Sequence, residues 1–290
     1  MGWTADEGAS FAVLDAYAAA GGNFLDTADL YTAWVPGHTG GESESIIGRW
    51  MRSRGTRNRM IVATKVGKLA GLEGLAPDTI RTAADASLQR LGVDHIDIYY
   101  AHADDPSTPM VESLRAFDGL VQTGKVRYIA ASNFTAPRLT EALETSAREG
   151  LASYVLLQPH HNLMHRGDYE GPLRTVCVEH SLSCAPYFSL ASGFLTGKYK
   201  PGVPVDSPRA GRAATYLDER GAQVLATVSE IAASHGTTMA AVALAWLLAD
   251  DTIAAPIASA RSAAQLEDLL PCATLSLTAE EVARLYKIGT

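Results

Sequence analysis

Four residues of this chain have side chains that could together place a proton on an oxygen: Asp26, Tyr31, Lys65 and His102. A phenol has an ordinary pKa of about 10, so Tyr31 keeps its proton at neutral pH and can donate it. A lysine cation close by favours the phenolate left behind. An aspartate paired with that lysine holds it in place and keeps it charged. A histidine on the other side can hydrogen-bond a carbonyl oxygen and orient it. This set suits protonation of an oxygen while a hydride arrives at carbon. It contains no hydride donor, so a cofactor has to supply one. Each residue taken singly has a plain structural explanation: a turn cap, a packed ring, a solvated strand end, a satisfied core histidine. Their placement at the ends of three successive strand-like runs is what gives the joint reading its weight.

The elements that must position them are short apolar runs separated by amphipathic segments. The runs are Asn23–Ala28, Met60–Val66, His95–His102, Val126–Ser132, Tyr154–Gln158, Leu182–Tyr187 and Thr252–Ile257. The first six start about 27–37 residues apart, the length of a strand, a helix and two loops. Most are continuous apolar stretches, as buried parallel strands require. Pro77–Leu91 reads as a helix, with proline in its first turn, apolar residues at Ile80, Ala84, Leu88 and Leu91, and Gly92 as its stop. Asp6–Ala20, Ser43–Arg54, Pro109–Gly124 and Ala136–Glu149 share that spacing. Thr278 with Glu281 forms a capping box that opens a last helix ending near Lys287. A longer gap before the last run holds a loop rich in glycine, proline and basic residues (Ser192–Arg212) and two helices, Asp218–His235 and Thr238–Ala249.

Alternating strands and helices predict an α/β fold with a parallel sheet. A doubly wound dinucleotide-binding sheet would carry G-x-G-x-x-G after its first strand, and the sequence has none. A (β/α)8 TIM barrel needs eight strands with its chemistry at their C-terminal ends, and only seven runs are present.

Composition bounds the rest. The chain has 290 residues, 47% apolar and 19% charged, with a formal net charge of −8. This predicts one globular domain over 1–290 and speaks against disorder, a nucleic-acid partner or an anionic membrane surface. Three cysteines, Cys177, Cys184 and Cys272, make neither a disulfide framework nor a zinc module and fit a reducing cytoplasm. No metal site is expected. No leader peptide and no apolar run of membrane-spanning length is read.

At the four residues the chain resembles the aldo-keto reductases, in particular their bacterial and channel-β-subunit-like branch. The resemblance runs from Gly2 onward and rests on G-G-N-F-L-D-T-A-D-L-Y (Gly21–Tyr31), G-G-E-S-E (Gly40–Glu44), A-T-K-V-G (Ala63–Gly67), A-A-S-N-F (Ala130–Phe134), L-Q-P (Leu157–Pro159), L-A-S-G-F-L-T-G-K-Y (Leu190–Tyr199) and A-R-S-A-A-Q-L (Ala260–Leu266). It implies a TIM barrel, NADPH/NADP+ as cofactor, reduction of an aldehyde or ketone or the reverse oxidation of an alcohol, and a tetrad of Asp26, Tyr31, Lys65 and His102 with Tyr31 as general acid. A module that holds NADP(H) as a sensor with little turnover is the alternative. A small carbonyl or alcohol substrate is the expected partner, and a homo-oligomer is left open.

The resemblance also assigns cofactor positions. Ser132, Asn133 and Gln158 match residues that hold the nicotinamide carboxamide, and Tyr187 matches the ring stacked on it. Phe188, Ser189, Leu190, Ser192 and Gly193 match the stretch following the pyrophosphate, and Lys198 and Arg209 match basic positions in the covering loop. Ser259, Arg261, Gln265 and Asp268 match the adenosine-phosphate end, with Arg261 toward the 2′-phosphate and a helix N-terminus at Ser262. Trp3, Trp34 and His161 are expected substrate-wall residues. His161 stands where the family has a frequent aromatic, and Ala130 and Ala258 stand where it often has glycine. The family's first barrel strand and N-terminal hairpin precede the position of Gly2–Trp3, so this chain is expected to lack strand one, through a late start or with the gap covered by a partner or swapped segment.

Overall fold

The computed structural model describes residues 1–288. The chain divides into two compact units, the first Met1–Leu157 with Arg261–Ala263, the second Gln158–Ala260 and Ala264 onward.

In the first unit the strands Phe24–Asp26, Ile61–Val66, Ile96–Ala101, Val126–Ser132 and Tyr154–Gln158 lie side by side in chain order. The first four pair in parallel. Val62, Ala63, Val66, Ile96, Tyr99, Tyr100 and Ala101 are all fully buried. A strand buried on both faces cannot alternate apolar and polar residues, which is why these runs read as continuous apolar stretches. The helices Glu7–Ala19, Glu42–Arg54, Pro77–Leu91, Met110–Gln122 and Ala136–Glu149 follow the predicted segments. The side chain of Asp6 accepts from the Ala9 amide to cap the first of them. Gly92, left-handed at φ 65°, closes the third with its amide on the Leu88 and Gln89 carbonyls.

In the second unit the main helices are Pro172–Glu179, Glu219–Ser234, Met239–Leu248 and Ala279–Ile288. The last is opened by the predicted capping box: the Glu281 amide donates to Thr278 Oγ1 and the Thr278 amide donates back to Glu281 Oε2. Met239–Leu248 is apolar all round and buried from Ala240 to Leu247, so it is a core helix. Among the described residues no single helix is long and apolar enough to cross a membrane.

Two of the expected strands are far shorter in the structure. Leu182–Tyr187 yields only Ser183–Cys184, and Thr252–Ile257 yields a single parallel bridge, Cys184 to Ile253. Each run carries a proline, Pro186 and Pro256, that has no N–H to donate to a ladder. The helix Pro172–Glu179 was not predicted. At eight residues, three of them β-branched, it shows little helical periodicity.

Candidate active site

The first unit brings Asp26, Tyr31, Lys65 and His102 together. Asp26 ends its strand in register with Ala63, and Lys65 lies two residues further along the neighbouring strand, in register with Tyr100. The next strand ends at Ala101, and the His102 amide donates to the Val66 carbonyl. Parallel pairing therefore delivers the aspartate, the lysine and the histidine at the same end of three adjacent strands. Tyr31 comes back from the loop that follows, whose first turn is closed by its amide on the Ala28 carbonyl.

That loop is held by G-G-E-S-E. The Glu42 carboxylate accepts from the Thr39 and Gly40 amides and from Thr32 Oγ1. Glu44, fully buried, accepts from Thr64 Oγ1 at 2.6 Å and pairs with Arg90 Nε at 2.6 Å. Gly40 sits at φ 100°, and a Cβ there would meet the Asp29 carbonyl oxygen at 2.8 Å. The motif therefore fixes the loop carrying the phenol and does not enter the chemistry itself.

Lys65 is 0% exposed. Its ammonium donates to Asp26 Oδ1 and Oδ2 at 2.8 and 2.7 Å, to the Thr27 carbonyl at 2.8 Å and reaches Tyr31 Oη at 3.1 Å. Burial alone would lower the lysine pKa; Asp26 and Tyr31 outweigh it and raise it above the ordinary value. For Tyr31 burial raises the pKa and Lys65 pulls it down, with burial the larger, so the phenol stands above its usual value. The lysine thus acts in the expected direction, but desolvation overrides it in the protein alone. The Tyr31 and His102 rings are 6.0 Å apart and nearly perpendicular. His102 is pushed down to about 2 by burial and by the charges of Lys65 and Lys68, so it is neutral throughout the physiological range. Nothing in the sequence pointed to the Thr27 carbonyl, because a backbone acceptor carries no residue-type signal.

Asp29, in the same loop, is fully buried and is pushed up to about 7 by desolvation and then by the Glu44 charge. The folded state holds its proton to about pH 7, whereas an unfolded aspartate releases it near pH ~3.9. Stability from this group is therefore present below pH ~4 and lost as pH rises toward 7. Asp29→Asn is expected to unfold at a higher temperature than the parent at pH 8, with the gap closing near pH 4. Parallel thermal melts across that range check it.

The remaining assigned residues fall in both units. In the first, Asn133 is left-handed at φ 55° and its amide donates to the His102 carbonyl at 2.8 Å and to Ser132 Oγ at 3.0 Å. Trp3 packs edge-on against Trp34 at 5.6 Å, and Trp34 lies 6.5 Å from Tyr31 while remaining 52% exposed. Arg261 and Ser262 are exposed, and the helix after them is only Ala263–Glu267.

In the second unit, Gln158 is buried, and Tyr187 packs on Phe188 at 5.1 Å. Ser189 Oγ donates to the Pro186 carbonyl, and Leu190 packs on the cluster of Ala240, Leu244 and Leu269. Phe188, Ala191 and Ser192 are left-handed although none is glycine, a local strain that the surrounding structure must enforce. A Cβ at Gly193 would lie 3.4 Å from Lys198 Nζ, so the absent side chain leaves that ammonium beside the backbone. Arg209 reaches Ser259 Oγ at 3.4 Å, and Arg212, unmarked in the sequence, lies 4.7 Å over the Phe188 ring. A strained loop with two cations at it, Lys198 and Arg212, fits the polyanionic part of a dinucleotide. Ser259 and Asp268 are exposed and Gln265 half-buried; the Asp268 carbonyl accepts from Thr238 Oγ1. His161 is 1% exposed and packs between Tyr169 and Trp246 at 5.0 and 5.3 Å, a core position and not a wall. Its neighbour His160 is the histidine that meets Tyr187.

A sequence profile described as the aldo/keto reductase family matches residues 2–290. The chain is 34% identical to aldo-keto reductase str7 of Strobilurus tenacellus, over 96% of this chain and 80% of that protein. It is 31% identical to L-glyceraldehyde 3-phosphate reductase of Escherichia coli K12, over 84% of this chain and 75% of that protein. It is also 31% identical to a putative voltage-gated potassium channel subunit beta of Schizosaccharomyces pombe, over 84% and 73%.

Proposed function

Because the chain belongs to the aldo/keto reductase family, we propose that it is an oxidoreductase reducing an aldehyde or ketone to an alcohol with NADPH, or running the reverse oxidation, on a parallel sheet that forms part of a (β/α)8 barrel. The observation that carries this reading is the Lys65 ammonium, which holds both Asp26 oxygens and Tyr31 Oη at once. NADPH, when bound, supplies the hydride. Tyr31 holds the proton at Oη and gives it to the substrate oxygen. Lys65 stabilises the phenolate that results, and Asp26 keeps Lys65 charged and aimed. His102, neutral, donates an N–H bond that orients the carbonyl. The exposed Trp3–Trp34 pair beside Tyr31 offers an apolar wall to the substrate. Ser132, Asn133, Gln158 and Tyr187 serve the nicotinamide, the loop from Phe188 to Gly193 with Lys198 and Arg209 serves the phosphates, and Ser259, Arg261, Gln265 and Asp268 serve the adenosine end.

The test is consumption of NADPH with 4-nitrobenzaldehyde, followed by nicotinamide absorbance. Turnover supports the enzyme. Tight NADPH binding with no turnover over a broad carbonyl panel instead supports a cofactor-holding regulatory subunit, the reading that the 31% identity to a channel β subunit favours. For cofactor choice, Arg261→Ala is expected to weaken NADPH binding by about tenfold or more, the loss of one charge-assisted contact of roughly 1.5–3 kcal/mol, with NADH little affected. Equal weakening of both would remove Arg261 from the 2′-phosphate.

A further inference from the structure

Outside the tetrad, the second unit holds a group of metal-ligating side chains that the proposed reaction does not use. One ligand atom each from His160, His165 and Asp168 lies within 4.8 Å of the others. Two imidazoles and a carboxylate are a common set for a divalent transition metal, with open positions left for water.

The backbone builds this arrangement. The Asn162 amide donates to the His165 carbonyl and the His165 amide donates back to the Asn162 carbonyl, both at 3.0 Å. This tight turn folds His165 over His160, and the rings stack at 3.7 Å and 10°. The Asn162 side chain pins the turn, accepting from the Met164 amide and donating to the Phe188 carbonyl. His165 Nε2 and Asp168 Oδ2 are 2.7 Å apart. His160 and His165 are half-buried and Asp168 exposed, so an ion can reach them. Ligand atoms held at about 2.0–2.2 Å by one tetrahedral ion are about 3.5 Å apart, and these three already lie within 4.8 Å of one another, so side-chain rotation suffices to seat an ion.

We propose that His160, His165 and Asp168 bind a divalent transition-metal ion of the Zn²⁺ type. The same His160 ring stacks on Tyr187 at 5.3 Å and 19°. Ligation therefore fixes the ring on which Tyr187 stacks. Where Tyr187 serves the nicotinamide, as proposed above, Zn²⁺ and NADPH are then coupled reciprocally through the His160–Tyr187 stack.

The experiment titrates the chelator-treated full chain with Zn²⁺ by calorimetry and with Co²⁺ by visible absorption, without NADPH. One site is expected, with d–d bands and no thiolate charge-transfer band. His165→Ala and Asp168→Ala are each expected to weaken it at least about tenfold. Asp168 is exposed and the His165 side chain is 35% exposed, and unchanged melting temperatures show the variants folded. No binding, affinity unchanged in both variants, or a thiolate spectrum overturns the site. NADPH titration is then repeated at saturating Zn²⁺. A change in Kd of about fivefold or more in either direction, absent in His165→Ala, supports the coupling, and an unchanged Kd overturns it. Failure to bind NADPH without metal counts against the functional reading alone, and the metal titration stands apart from it.

Discussion

Tyr31→Phe is expected to lower kcat by about 10²–10⁴-fold while NADPH still binds. The size of the effect depends on which group at the site can release a proton. His102 carries a pKa of about 2, so it is never an imidazolium at working pH, and its neutral N–H can orient an oxygen but not protonate it. Lys65 is tied to both Asp26 oxygens and the Thr27 carbonyl, and its pKa is raised, so it keeps its charge. Tyr31 Oη, 3.1 Å from that charge, is the acid that remains. Removing one oxygen atom preserves the ring that packs beside Trp34 and His102. Steady-state rates with 4-nitrobenzaldehyde and a fluorescence titration of NADPH separate the two quantities. A variant retaining a tenth or more of the parent rate would show that the proton comes from elsewhere.

Lys65→Met is expected to destabilise the protein by about 3–5 kcal/mol as well as to abolish turnover. The ammonium is fully buried and satisfies an aspartate whose side chain is only 7% exposed. Deleting the cation leaves that carboxylate in low dielectric without its partner, which costs more than the pair itself contributes. The double variant Lys65→Met/Asp26→Asn is therefore expected to recover much of the lost stability, though none of the activity. Because the folded lysine pKa is raised, its stabilisation is complete below the unfolded value of about 10.4 and disappears as pH climbs through the folded value. The parent should lose stability on that alkaline limb, and Lys65→Met should lack the lysine part of it. Urea unfolding at pH 7, 9 and 11 reads all of these.

How much of this was legible beforehand differs element by element. The helix Pro77–Leu91 announced both ends, through a proline in its first turn and a left-handed Gly92 after its last. Those signals act within a few residues and survive in a bare sequence. The strands Ile61–Val66 and Ile96–Ala101 were visible as largely apolar runs because a doubly buried strand admits polar side chains mainly where they are paired, as Lys65 and Asp97 are. Leu182–Tyr187 and Thr252–Ile257 looked similar, yet their prolines left two paired residues and one bridge. An apolar run records burial; it does not record whether the ladder donors are present.

At the site, residue types and their family pattern named Asp26, Tyr31, Lys65 and His102, and the register of three parallel strands put the last two beside the first. What the sequence by itself determined was the inventory: a phenol, an ammonium, a carboxylate and an imidazole at strand ends, and a fold period to carry them. Only the tertiary structure decided their electrostatics. Burial reverses the simple expectation for Tyr31, fixes His102 neutral and leaves Asp29 holding a proton near pH 7. It also decided that His161 is packed inside while His160 faces Tyr187. The two histidines are adjacent in sequence and chemically identical. Solvation and long-range contacts depend on distance in space, and a string of residues does not contain that distance.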